Sequence, residues 1–248
     1  MTEPRKVIVN GEEVTPEFFR DLERDKDLKE LTIWSGPLTN ETLEPVGRLT
    51  RLKGLCLGEM QIDDGVFRYL QPLRSLEYLN LAYTNIRGDF SPLAGAPLRD
   101  VRLEGCRLAG DACAASLAAF PTLRNAEVHM TGVTDAGVTA LSALPLETLW
   151  AGPRITDTGL QSIGRIPTLR HLDLCAHMVT DEGAAALAKL RGIEILWLTR
   201  CSITDRSVPV LAELQSLREL NVSHTGITGP GLARLRAALP STRFVEPD

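Results

Sequence analysis

Apolar residues recur along this chain in blocks of the form L-x-x-L-x-L, and a block returns about every two dozen residues. Aligned on the first apolar residue, the copies begin at Leu28, Leu52, Leu76, Leu98, Leu123, Leu146, Leu169, Ile193 and Leu217, in steps of 24, 24, 22, 25, 23, 23, 24 and 24 residues. A partial copy precedes them, with Val7 and Val9 in the second and third apolar slots, and Phe244 is placed to begin a last strand. In the copy starting at Leu169, Leu172 and Leu174 alternate with polar neighbours, the period-two pattern of a strand buried on one side. Val179 follows the turn as one more inward residue. Thr180 then stands where its hydroxyl can cap a helix, and Asp181 lies in the first turn, where a carboxylate suits the helix dipole. Leu187 and Leu190, three apart, form the buried stripe of that helix. The same Thr-Asp signature recurs at 133–138, 155–160 and 203–205. Each unit is predicted to be a strand, a turn and a short helix, so the chain reads as α/β.

One unit breaks the rule. Between Ile86 and Leu98 stand Pro92, Pro97 and two glycines where a helix should be, and proline has no N–H to donate and clashes inside helices. A short extended or 3₁₀ connection is expected there. The stretch before Leu28 reads as a cap. Thr15-Pro16-Glu17 sets a capping hydroxyl ahead of a proline at the first helical position, Phe18, Phe19 and Leu22 give apolar cover, and the charged run 23–27 keeps the end wet.

A repeat of this length and pattern resembles the leucine-rich repeat family. The form I-T-D-x-G-L is similar to its cysteine-containing class, in which threonine or cysteine takes a turn slot that other classes give to asparagine. Thr84, Cys106, Thr131, Cys201 and Thr225 hold that slot here, and His177 falls in it too. The connection after Ile86 resembles the I-x-D-x-S-P-L-A links of bacterial internalins. The resemblance implies a solenoid, a curved horseshoe with a parallel β-sheet on its concave side and helices on its convex side. It implies a bacterial protein, with one domain over 1–248: a capping repeat at 1–27, nine repeats over 28–240 and a C-terminal cap at 241–248. It implies little about the partner, because one scaffold serves many.

Composition narrows the setting. A net charge of -5 speaks against nucleic acid as the main partner. No apolar run approaches the ~18 residues that span a membrane, and the opening residues lack the apolar stretch of a secretory signal. Five cysteines (Cys56, Cys106, Cys113, Cys175 and Cys201) show no paired spacing, which suggests reduced thiols and a cytoplasmic protein. Arg87-Gly88-Asp89 matches the tripeptide of integrin ligands, a weak signal in a chain with no readable export signal.

Residues alternating with the buried leucines face out from the sheet in three rows, and all three tryptophans fall on them. Trp150 and Trp197 share the central row two strands apart, roughly 10 Å at ordinary strand spacing, with Asp173 between them. His171, Thr148, Ile195 and His129 surround them. Exposed tryptophan marks interfaces, so partner binding is expected there, although the rings could instead lie flat on neighbours. Glu30, Asp100, Glu104, Glu127, Asp173 and Glu219 face the same side against Lys6 and Arg102, an acidic surface suited to a basic protein. The expected contacts are Trp150, Trp197, Asp173 and His171 at the centre, Glu127, His129 and Arg102 beside them, and Trp34 nearer the N-terminus.

Chemistry is not expected. His171 and Cys175 lie four residues apart on one strand, ~13 Å, too far to meet. No metalloprotease helix, nucleophile elbow or phosphate loop motif occurs, so neither catalysis nor a cofactor or metal is anticipated. The sequence thus predicts a non-enzymatic scaffold that binds a protein through its concave face. A bacterial effector or immunity-type inhibitor blocking a target enzyme, or a self-associating structural protein, would use the same scaffold. The oligomeric state is left open.

Overall fold

The computed structural model describes residues 5–245, so the outermost parts of the two expected caps, 1–4 and 246–248, lie outside it. Eleven strands form one parallel sheet in strict chain order: β1 (Arg5–Asn10), β2 (Leu28–Trp34), β3 (Gly54–Gly58), β4 (Tyr78–Asn80), β5 (Asp100–Arg102), β6 (Asn125–Glu127), β7 (Thr148–Ala151), β8 (His171–Leu174), β9 (Ile195–Trp197), β10 (Glu219–Asn221) and β11 (Arg243–Phe244). From β2 to β10 the register holds Leu31, Leu55, Leu79, Val101, Ala126, Leu149, Leu172, Leu196 and Leu220 in one line. All of these are at most 1% exposed, and they form the seam of one contiguous core. Short α-helices or 3₁₀ turns return the chain from each strand to the next. This is an α/β solenoid.

The Thr-Asp signature does more than start helices. Thr134, Thr156, Thr180, Thr204 and Thr228 each cap a helix, their hydroxyls accepting from a backbone N–H two or three residues on. The aspartate after each of the first four turns to the next repeat. Asp157 accepts the Thr180 N–H and hydroxyl, both at 2.7 Å, and Asp181 does the same for Thr204 at 2.9 and 2.7 Å. Asp135 serves Thr156, Asp205 serves Thr228, and Asp111 starts the ladder on Thr134. The glycine that follows in the motif is explained by this contact. A Cβ at Gly183 would fall 2.2 Å from Asp157 Oδ1 and 2.9 Å from its Cα.

Side chains in the turn slot bond back to the backbone of the same or the preceding repeat. Thr84 and Thr225 donate to the carbonyls of Leu81 and Val222, and the Cys106 thiol donates to Leu81 O at 3.0 Å. Burial pushes the Cys201 thiol up to about 12, and these sulfurs are packing groups. His177 is a correction: it is exposed, and Ala176 beside it is buried instead. In most repeats the residue before the slot has a left-handed backbone, as at Tyr83 (φ 57), Gly105 (φ 70), Met130 (φ 53) and Arg200 (φ 61). Pro153 and Ala176 occupy that place in two consecutive repeats without a positive φ, so their turns take another path. Those two repeats carry β7 and β8.

The connection after Ile86 is a 3₁₀ turn at Ser91–Leu93, and Phe90 fills the space a helix would take, its ring centroid 4.9 Å from that of Phe67. Arg87 and Gly88 donate their N–H groups to Asp64 Oδ1, both at 2.9 Å, and Gly88 is buried with φ 95. The Arg-Gly-Asp tripeptide is thus part of the repeat-to-repeat packing. At the start of the chain, the helix Pro16–Arg24 has Thr15 as its cap and buries Phe19 and Leu22.

Candidate functional site

The two altered turns let β7 and β8 run one residue further than their neighbours, adding the pair Ala151↔Leu174 to the ladder. On this widened part of the open sheet face, register places Trp150 beside Asp173 and Asp173 beside Trp197. His129 and His171 complete a line of rings. Centroid distances are 5.5 Å from His129 to Trp150, 5.7 Å from Trp150 to His171 and 6.1 Å from His171 to Trp197, with interplanar angles of 57 to 66°. The sequence reading of exposed tryptophans needs correction, since Trp34, Trp150 and Trp197 are all half-buried. Each indole leans on its neighbours along the sheet, which costs less than full exposure and leaves edges and faces accessible.

Polar groups in this line divide into two kinds. Trp197 Nε1 donates to Glu219 Oε1 at 2.7 Å, and Glu219 is gripped on its other oxygen by Arg243, whose bond holds the carboxyl below its usual range. His129 Nε2 lies 3.3 Å from Glu104, which also accepts the Tyr83 hydroxyl at 2.5 Å. By contrast Trp150 Nε1, His129 Nδ1 and His171 Nε2 are buried atoms with no hydrogen-bond partner among the described residues. Asp173 has no hydrogen bond and no ion pair among the described residues, and burial pushes its carboxyl up. Burial pushes the His171 imidazole down, which keeps it neutral at pH 7, so it supplies no countercharge.

The rest of the expected acidic surface is mostly spoken for. Glu127, read from the sequence as a groove acid, is only 6% exposed, and its carboxyl is pushed up by burial although Arg102 lies 3.4 Å away. Thr32, Cys56 and Asn80 of the same row are buried as well. Arg102 is shared between Glu127 and Asp100 and lies over the Tyr78 ring, 5.4 Å from its centroid. Glu30 pairs with Lys6 at 3.5 Å. Trp34 stands apart, five strands from Trp150, roughly 24 Å at ordinary strand spacing. It folds over Gly58, where a Cβ would fall 2.1 Å from its ring. It borders a cavity of about 530 Å³ that also touches Ile8, Tyr78 and Cys56. Sequence reasoning missed this pit. Its signal was Gly54, whose missing side chain opens the first row between Glu30 and Tyr78.

No helix among the described residues is long and apolar enough to cross a membrane, and no group of three or more potential ligands among them could hold a metal ion. All five cysteines are free.

A family model described as Leucine Rich repeat matches residues 165–188 and 213–235, the repeats carrying β8 and the strand-to-helix return before β11. The chain carries leucine-rich repeats. The fold of this repeat protein is similar to that of internalin C2 from Listeria monocytogenes, with a TM-score of 0.59 at 21% identity over 85% of this chain and 84% of the internalin. An internalin F of the same organism matches at a TM-score of 0.49 and 18% identity, over 98% of this chain and 86% of that one. No curated protein matched the chain. A leucine-rich repeat sheet is in general a scaffold for protein interaction.

Proposed function

We propose that this leucine-rich repeat protein is a non-enzymatic interaction scaffold of a bacterial cytoplasm, and that its open sheet face over β6–β9 receives a protein with a basic surface. One observation carries the reading: the line His129, Trp150, His171, Trp197 holds three buried polar atoms without partners beside a carboxylate without a counterion. A chain folding for itself satisfies such groups. A surface that meets a partner can leave them open until the partner arrives. Trp150, Trp197, Asp173 and His171 form the centre, His129 and the Arg102–Glu127 pair flank it, and Trp34 beside its pit is a second contact. The five free thiols support a reducing compartment.

The test is capture from lysate of the source organism, comparing the native chain with the Trp150→Ala, Trp197→Ala pair. Each truncation is expected to weaken partner binding by about 2 kcal/mol, so a protein held by the native chain is lost by the pair. Equal capture by both would reject this face. A purified enzyme inhibited by the native chain would favour the inhibitor role over an adaptor role on the same surface.

A further inference from the structure

We infer that Asp173 is the receptor for a single arginine side chain presented by the protein partner. The inference deepens the scaffold reading and rests on it. Asp173 lies in register between Trp150 and Trp197, at the middle of the central row. The acids read from the sequence as facing this side otherwise have partners. Glu30 has Lys6, Asp100 and Glu127 share Arg102, Glu104 has Tyr83 and His129, and Glu219 has Arg243 and Trp197. Asp173 alone has no hydrogen bond and no ion pair among the described residues, although it is half-buried, where a bare carboxylate costs more than at the surface. Burial pushes its carboxyl up, His129 offers it only a long-range attraction that does not offset this, and burial holds His171 neutral.

Electrostatics at such a spot favour one incoming group. A monocation meets a carboxylate that is already partly desolvated, so association forfeits less hydration on the protein's side than at a fully exposed acid. Arginine suits the surroundings better than lysine. Its planar guanidinium is weakly hydrated, bonds a carboxylate with two parallel N–H groups and lies against aromatic rings.

The experiment titrates the full chain with a capped Gly-Arg-Gly tripeptide at constant ionic strength and follows the three indole N–H signals by NMR. Saturable shifts of Trp150 and Trp197 are expected, with Trp34 unmoved as the internal control. The citrulline tripeptide, uncharged and of the same shape, is expected to give no shift, and the lysine tripeptide a weaker one. In Asp173→Asn the arginine response is expected to be at least about tenfold weaker, while the melting temperature stays equal or rises because a bare buried charge is gone. No shift, an equal response to citrulline, or an undiminished response in Asp173→Asn would overturn the inference. So would a large fall in melting temperature in that variant, which would make the carboxylate structural. Equal binding of the lysine peptide would overturn the choice of arginine. If the peptide fails while the tryptophan pair still abolishes partner capture, the arginine anchor falls and the scaffold reading stands. If the peptide binds while capture ignores the tryptophans, the scaffold reading falls.

Discussion

At the scale of single residues, the aspartate ladder shows how one side chain can serve two repeats. Asp181 accepts from Thr204 and Ser207 of the following unit while standing in the first turn of its own helix. Burial alone would raise its carboxyl, but the bonds from Ser207 and from the N–H and hydroxyl of Thr204 outweigh burial and hold it below its usual value. Asp111 is held down in the same way by Thr134 and Gly137. A carboxylate lowered in the folded state is more protonated in the unfolded chain. Its contribution is therefore complete above the unfolded value of about 3.9 and is lost as pH falls through the folded value. The native chain should lose stability on acidification below about pH 4. Asp181→Ala should cost about 1–3 kcal/mol at pH 7, since Thr204 and Ser207 lose their shared acceptor, and its acid decline should be shallower. Denaturant midpoints at several pH values measure both. A variant as stable as the native chain at pH 7 would mean that the ladder bonds exchange freely with water.

Elements here are short, and one three-residue turn is the most informative. Between β4 and β5 the return path is a three-residue 3₁₀ turn, and the work of a helix stripe falls to Phe90, which is fully buried against Phe67. Its N–H donates to Ser116 Oγ of the next repeat at 2.9 Å, so the segment is pinned on both sides. Phe90→Ala is expected to cost about 3–5 kcal/mol, because a rigid turn cannot collapse into the void. A cost under about 1 kcal/mol, read by chemical denaturation, would show this connection to be loosely packed. The altered turns at Pro153 and Ala176 act at the same scale. By extending β7 and β8 they set the breadth of the surface that carries Trp150 and Asp173.

For the whole molecule, each strand touches only its sequence neighbours, yet the buried side chains form one unbroken cluster from Phe19 to Leu239. Repeat arrays unfold as units when the coupling between neighbours exceeds the cost of an internal boundary. The Thr-Asp ladder and the aligned leucines supply that coupling. One domain over 1–248 is accordingly proposed, and it is expected to unfold in one transition. Far-UV circular dichroism reports all helices, while tryptophan emission reports Trp34 at one end and Trp150 and Trp197 further along. Coincident midpoints are expected, and two separated transitions would divide the chain into independent units.

The chain by itself determined the architecture. A period of 22 to 25 residues with fixed leucine offsets admits one kind of stacking, so the strand rows, the capping threonines and the short return after Ile86 could all be read before any coordinates. The register then followed, and with it the neighbourhood of Trp150, Asp173 and Trp197. Sequence could not say which acids would find a partner, because pairing depends on side chains brought together from different repeats. Nor could it say that Glu127 would be crowded out of the groove, that Trp34 would fold across Gly58, or that His177 would leave the turn slot to Ala176. Each of these depends on how side chains of neighbouring repeats pack and on the path of a turn, which are sums over many residues. Tertiary structure alone separated Asp173, left without a counterion, from the acids that the fold had already neutralised.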